Sequence, residues 1–385
     1  MNTALLKTFG QKARTLLIDG VIRKLHYWGF NIDGAVTESP EAIPGGYIFR
    51  ETVYDDVAVP LLWRNLESAI NREGVHEVAE RAAYIWFNRF MALQILGKNG
   101  HEQSLLEPVS VEEQTPVIVK RARGGQYEYL NKAEQERLKK ILTDYEKETQ
   151  AFAILLIGFC HNHSLLNRVF GSIDDYTELL LPDDILSSGG FLDLVNNGDY
   201  ITDEDYRQVE LIGWLYQFYI SEKKDQVFKK FKDGKKAEAK DIPAATQIFT
   251  PNWIVKYMVE NTVGKIWLEK HPHSPIKESL QYLVEAADNN ETPEPIIEEV
   301  RDLKLLDPAS GSGHILVEGF ELLYKMYQEE YYPADEAVES ILQNNLYGLD
   351  IDLRATQLAQ FALLMKAAQY YPDVLKKDII PHIYA

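Results

Sequence analysis

The stretch from Leu303 to Gly313 limits what this chain can fold into more than any other. Leu303 to Leu306 reads as a short apolar strand, and Asp307-Pro308-Ala309-Ser310-Gly311-Ser312-Gly313 follows it at once. A helix is expected from His314 to about Tyr331. A strand that runs into Gly-x-Gly before a helix lets backbone approach a ligand where a Cβ would clash. The helix N-terminus behind it offers unpaired N–H groups. Taken alone, the glycines fit an ordinary strand-to-helix turn equally well. The dinucleotide fingerprint needs a third glycine, and Leu316 stands in its place.

Beyond Tyr331 the chain repeats the same alternation. A second helix opens near Pro333, Leu346-Tyr347-Gly348-Leu349-Asp350 reads as a strand, and Asp352 is placed to cap a helix running to Tyr370. Ile379 to Tyr384 reads as a third strand. Strand, helix, strand, helix, strand is the pattern of a parallel sheet. An acid at the end of the second strand, Asp350, faces the crevice above the first strand and can accept hydrogen bonds from vicinal ribose hydroxyls. The spacing from Gly313 to Asp350 exceeds the about 20 residues of the dinucleotide case, and the extra helix from Pro333 to Gln343 fills the gap. Upstream, Phe249-Thr250-Pro251 precedes a predicted helix from Trp253 to Trp267. Thr250 would cap it and Pro251 would occupy its first position, while the same hydroxyl and N–H groups suit a carboxylate.

The remainder, to about residue 240, reads as helical. The chain has 385 residues, enough for two or three cores. Residues 76–98 carry apolar positions at helical spacing, residues 131–170 pass from Lys/Glu repeats to the apolar run Phe152 to Cys160, and residues 204–224 hold a dense aromatic stretch best read as helix core. Met1 to Arg23 mixes Lys7, Lys12 and Arg14 with apolar residues, which suits an amphipathic helix and not a signal peptide. Residues 100–128 and 288–302 read as linkers. No apolar run is long enough to span a membrane, and the single cysteine, Cys160, rules out an internal disulfide framework and fits a reducing, cytoplasmic setting. The net charge of −19 argues against nucleic-acid binding by the chain as a whole. Lysines do crowd one segment, at Lys223, Lys224, Lys229, Lys230, Lys232, Lys235, Lys236 and Lys240. They read as a solvated helix end and loop, with a phosphate-contacting strip as the alternative.

Phe-Thr-Pro, then Asp-Pro-Ala-Ser-Gly-Ser-Gly-His, then Gly-Leu-Asp-Ile-Asp resemble, in this order, the cofactor motifs of gamma-group N6-adenine DNA methyltransferases. Glu210-Leu-Ile-Gly-Trp-Leu-Tyr-Gln-Phe-Tyr-Ile-Ser-Glu-Lys-Lys-Asp225, Asp241-Ile-Pro-Ala-Ala-Thr-Gln247, Phe361-Ala-Leu-Leu-Met365, Tyr84-Ile-Trp-Phe-Asn-Arg89 and Leu180-Leu-Pro-Asp-Asp184 look like the PglX-type methyltransferases of BREX phage-defence systems. The resemblance therefore covers nearly the whole chain. That family usually has Cys where Ser310 stands. The resemblance implies an α/β fold: a helical N-terminal region over 1–240, with a possible subdivision near 100–130, then an incomplete Rossmann-like methyltransferase sheet over 241–385. It implies S-adenosyl-L-methionine as cofactor, held by Phe249, Thr250, Pro251, Asp307, Ala309, Gly311, Gly313, Asp350 and Ile351. Thr250 would take the methionine carboxylate, Asp307 would lie near the amino group, Asp350 would bind the ribose and Ile351 would pack on the adenine. No metal is implied.

The family's catalytic Asn-Pro-Pro-aromatic motif should come after a fourth strand, where it would receive a flipped-out base. No Pro-Pro pair occurs in the chain. Three explanations arise: truncation, an interrupted gene, or a separate cofactor-binding subunit. Truncation or interruption is favoured, because a sheet cut after three strands leaves an exposed edge. The expected function is site-specific adenine N6-methylation, with double-stranded DNA bound by the complete protein, other BREX proteins as partners, and no activity in this chain alone. The rival reading is a non-catalytic module that binds S-adenosylmethionine, DNA or protein within a defence complex. A nicotinamide dehydrogenase is a third reading, opposed by Phe249-Thr250-Pro251 and by Leu316.

Overall fold

The computed structural model describes residues 1–173, 175–234, 236, 241–246, 250–284 and 297–385, with backbone alone at 243 and 244. The chain divides into two compact units, Met1–Arg207 and Gln208–Ala385. The helices between 208 and 240 therefore belong with the parallel sheet.

The first unit is built on α1 (Thr3–Tyr27), α2 (Val59–Glu73) and α3 (Val75–Lys98). Leu6, Phe9, Ala13, Leu17, Val21 and Leu25 recur at three- and four-residue spacing and form a buried stripe on α1. This stripe packs on α3, which is buried along most of its length, with Trp86 and Phe90 fully enclosed. Short antiparallel strands β1 (Glu41–Ile43), β2 (Gly46–Phe49) and β3 (Thr52–Tyr54) were not foreseen. Arg50 and Glu51 take positive φ in the two-residue turn between β2 and β3. Such hairpin turns usually carry Asn or Gly, so this one gave no sequence signal.

The rest of the unit is α4 (Val117–Arg123), α5 (Lys132–Ile141), α6 (Glu148–Asn162), α7 (Ser164–Phe170), α8 (Phe191–Val195) and α9 (Asp203–Tyr206). Helix α4 lies inside the segment read as a linker. It buries Ile118, Val119 and Ala122 and packs on α6, so only its flanks behave as loop. The basic and acidic start of 131–170 becomes α5, whose Asn131 and Glu134 form a reciprocal capping box.

The second unit opens with α10 (Glu210–Tyr219), α11 (Ser221–Lys232) and α12 (Ile242–Thr246). Five of the clustered lysines lie on α11, Lys230 pairs with Asp241, and Lys235 and Lys240 fall outside the described residues. A long helix follows as α13 (Asn252–Val259), a π turn over Glu260–Gly264, and α14 (Lys265–Lys270). Beyond an acidic segment that lies mostly outside the described residues come β4 (Leu305–Asp307), α15 (His314–Glu329), α16 (Ala334–Ser340), β5 (Leu346–Leu349), α17 (Leu353–Ala368) and β6 (His382–Tyr384). The three strands form one parallel sheet in the order β4-β5-β6, with Leu306 opposite Tyr347 and Tyr347 opposite His382. The expected α/β architecture, a helical region followed by a partial Rossmann-like sheet, is present. Helix α15 covers one face closely: a Cβ on Gly319 would stand 2.4 Å from Leu305 Cδ2, and one on Gly348 would stand 3.0 Å from Leu316 Cδ1. On the other face Leu306, Leu349 and Tyr384 are exposed. No helix among the described residues is long and apolar enough to cross a membrane.

Candidate functional site

The carboxyl ends of β4 and β5 meet at Asp307 and Asp350. The loop after β4 turns on two glycines in the left-handed region, Gly311 at φ +51° and Gly313 at φ +86°. Their constraints differ. A Cβ on Gly313 would meet the Ala359 Cβ at 2.9 Å, so this glycine also lets the loop close against α17. A Cβ on Gly311 would meet nothing within 4 Å: the loop faces open space there. Gly313 then becomes the N-cap of α15, with no side-chain cap.

Backbone and carboxylates lock this loop to the second strand. Ser310 N–H donates to the Leu349 carbonyl at 2.8 Å, and Gly311 N–H donates to Asp350 Oδ2 at 2.9 Å. The other oxygen of Asp350 accepts from the Asp352 N–H at 2.8 Å, and Asp350 N–H donates to the Tyr384 carbonyl at 3.0 Å. Each carboxylate oxygen keeps unused acceptor capacity. Asp307 is buried, and its Oδ1 accepts from Ala309 N–H at 3.1 Å. Burial raises its carboxyl above the ordinary aspartate range, the Ala309 bond opposes the shift and neighbouring Asp350 adds to it. Ser310 Oγ is buried with no hydrogen-bond partner among the described residues, and a thiol in its place would lose little by burial. His314, the first residue of α15, is driven down to about 4 by burial and is neutral at physiological pH.

Asp352 has a different task. It caps α17, its Oδ1 accepting from Arg354 N–H at 3.0 Å, and it forms a two-pronged ion pair with the Arg354 guanidinium. Tyr216 OH donates to its Oδ2 at 2.7 Å. Burial would raise this carboxyl, but Arg354 and Tyr216 outweigh it and hold it below the ordinary range. Sequence reasoning foresaw the cap and missed Tyr216, which reads from sequence only as helix core. That reading is sound for the ring, which is buried, and silent on the hydroxyl.

Thr250 does not cap the helix that follows it. Pro251 is the N-cap residue, its carbonyl accepting from Ile254 and Val255 N–H, and no side chain caps this end. The reason is local: Pro251 has an extended ψ of 138°, so helical geometry starts one residue later than expected. Asn252, the first helical residue, donates from Nδ2 to Glu210 Oε1 at 3.0 Å. The helix through α13 and α14 packs along α15 in the same direction. Lys256 faces Glu318 across a cleft of about 360 Å³, and Trp267 Nε1 donates to Glu329 Oε2 at 3.1 Å, the same offset along both helices. Carried back, this register sets the first turn of α13 level with the first turn of α15. Phe249 lies outside the described residues. Ile351 is 69% exposed just beyond Asp350, and Ala309 is exposed on the loop. No cluster that could hold a metal ion occurs among the described residues.

Two curated proteins are similar to this chain over nearly all of its length. The chain is 39% identical to the adenine-specific methyltransferase BrxX of Escherichia coli O9:H4 (strain HS), over 98% of its own length and 32% of that protein. It is 33% identical to the adenine-specific methyltransferase PglX of Lacticaseibacillus casei (strain Zhang), over 100% of its own length and 34% of that protein. The chain matches the N-terminal portion of the PglX/BrxX-type BREX adenine methyltransferases. It spans about a third of the length of these curated PglX/BrxX relatives. No protein-family model matches it. The similarity to the PglX/BrxX type includes both compact units, so the helical first unit is as much a part of it as the parallel sheet.

Proposed function

We propose that this chain is the S-adenosylmethionine-binding part of an adenine-specific DNA methyltransferase of BREX type. The observation that carries the reading is the meeting of an open glycine loop with two carboxylates, Asp307 and Asp350, at the carboxyl edge of a parallel sheet. Ligands of open α/β sheets bind in that crevice. The residues fit the cofactor. Gly311 leaves room where a side chain would intrude, and a buried acid with no neutralising cation among the described residues suits a sulfonium or ammonium group. Asp350 would accept from the ribose hydroxyls with the lone pairs that Gly311 and Asp352 leave unused, and exposed Ile351 would cover one adenine face. Asp307, Ala309, Gly311 and Gly313 would line the methionine end, with Asp307 toward the amino group. Phe249, Thr250 and Pro251, at the start of α13, would meet the methionine carboxylate, where the helix dipole adds roughly 0.3–1 kcal/mol.

When bound, S-adenosylmethionine supplies an electrophilic methyl group. This chain's residues bind and orient it, and the chain holds no Asn-Pro-Pro-aromatic motif to receive an adenine. Methylation of double-stranded DNA is accordingly proposed for a protein that also carries that motif, acting with other BREX proteins. Calorimetric titration of the purified chain with S-adenosylmethionine and, separately, with NADH tests the reading. Binding of the first alone is expected; binding of NADH alone, or of neither, overturns it.

A further inference from the structure

Two helices that share no local sequence relation end against one short helix. Tyr216 of α10 donates its hydroxyl to Asp352 Oδ2 at 2.7 Å, at the start of α17. Six residues earlier on α10, Glu210 Oε1 accepts from Asn252 Nδ2 at 3.0 Å, at the start of α13. Six residues of α-helix span about 9 Å, so α10 fixes the separation of these two helix starts. From Asp352 the hydrogen bonds continue: Asp352 N–H to Asp350 Oδ1 at 2.8 Å, then Gly311 N–H to Asp350 Oδ2 at 2.9 Å. A continuous path thus runs from the Tyr216 hydroxyl to the glycine loop.

We propose that α10 is the positioning element of the cofactor site, with Tyr216 setting Asp350 through Asp352 and Glu210 setting the start of α13 through Asn252. The inference rests on the reading of the site as one for S-adenosylmethionine. Packing alone calls for no hydroxyl at position 216, because the ring is 2% exposed and a phenylalanine would fill the same space. The hydroxyl instead adds one directional bond to a carboxylate that already caps α17 and binds Arg354. That bond ties residue 352 to α10, and the backbone N–H of the same residue donates to Asp350 Oδ1. Arg354 cannot do this alone, since its guanidinium approaches from Asp352's own helix and moves with it. At the other end, Glu210 holds a helix start that has no side-chain cap. Neither Tyr216 nor Glu210 need touch the ligand.

The test titrates S-adenosylhomocysteine into the full chain by calorimetry, well below the melting temperature, for the parent, Tyr216→Phe, Glu210→Ala, Glu210→Gln and Asp350→Ala. Tyr216→Phe and Glu210→Ala should each weaken binding about threefold to tenfold, the range typical of coupled neighbouring groups. Glu210→Gln keeps an acceptor for Asn252 and should retain near-parent affinity. On an Asp352→Ala background, Tyr216→Phe should cost less than threefold, because the acceptor of the Tyr216 hydroxyl is already gone. A purely structural role would lower the melting temperature and leave these affinities alone. Parent-like affinity in Tyr216→Phe and Glu210→Ala, beside lost affinity in Asp350→Ala, overturns the inference and leaves the cofactor reading standing. Failure of the parent itself to bind overturns the cofactor reading and the inference with it.

Discussion

Tyr216 and Asp352, 136 residues apart in sequence, are joined by a 2.7 Å hydrogen bond between buried groups. That bond marks the division of labour between the two acids after β5. Asp352 is committed to α17, Arg354 and Tyr216, whereas Asp350 makes only backbone bonds among the described residues and stands half-exposed at the edge of the crevice. Asp350→Ala should therefore weaken S-adenosylmethionine binding roughly tenfold or more, the value of a charge-assisted hydrogen bond. Asp352→Ala should weaken binding less and cost more stability. Loss of the cap alone costs about 1 kcal/mol, and Arg354, a third exposed, can rehydrate, so the broken ion pair adds little to that. Calorimetry and thermal melts on both variants separate the two effects, and equal loss of affinity would contradict the assignment.

Asp307 should carry a cost in the unliganded protein. Its carboxyl titrates above the ordinary aspartate value because of burial first and Asp350 second. A raised acid contributes stability that is complete below the unfolded value, about 3.9, and is lost as pH rises through the raised native value. Asp307→Asn keeps an acceptor for Ala309 N–H and removes the charge. It should raise the melting temperature at neutral pH, flatten the acid-side pH dependence and weaken binding of the cationic ligand. Melting curves between pH 3 and 8, with about 0.1 M salt to damp surface charges, read the first two effects.

The two glycines of the loop predict unequal costs. Gly311→Ala meets only the left-handed penalty, about 1–2 kcal/mol, because open space surrounds its Cβ. Gly313→Ala meets that penalty and a backbone-side contact with Ala359, which a helix cannot relieve cheaply; an overpacking cost of about 1–3 kcal/mol comes on top. Chemical denaturation should rank them Gly313→Ala below Gly311→Ala. Ligand affinity should fall for Gly311→Ala, whose new methyl enters the open side of the loop.

Ser310 offers a stabilising change. Its buried hydroxyl finds no partner among the described residues, and an unsatisfied buried polar group costs about 1–3 kcal/mol. Ser310→Cys and Ser310→Ala should each be neutral to stabilising by about 1 kcal/mol. Destabilisation of both by denaturant titration would mean that the hydroxyl has a partner in solution.

Methyl transfer to DNA by this chain alone is expected to be undetectable, because no Pro-Pro pair exists to build the adenine-receiving motif. Incorporation of labelled methyl groups by the pure 385-residue protein would refute this. Activity gained on joining the chain to the remaining two-thirds of a PglX/BrxX relative would support the proposed role.

Much of the second unit was legible in the sequence because its signals are local. A run of apolar residues, two glycines whose φ is positive and an acid capping α17 each act within a few positions, and β4, α15, β5 and α17 fall close to where those signals put them. The same locality explains the misses. The Arg50-Glu51 turn carries no glycine, and α4 sits among prolines and glycines yet is held by apolar residues that pack on α6. Thr250 looked like a cap by position, but the extended ψ of Pro251 moved the helix start beyond its reach. Only the tertiary structure decided that Asp350 ties Gly311, that Asp352 answers to Tyr216, and that α13 runs alongside α15. Those contacts join residues from 39 to 136 positions apart. No periodicity or propensity encodes them, because they come from packing whole elements around one core.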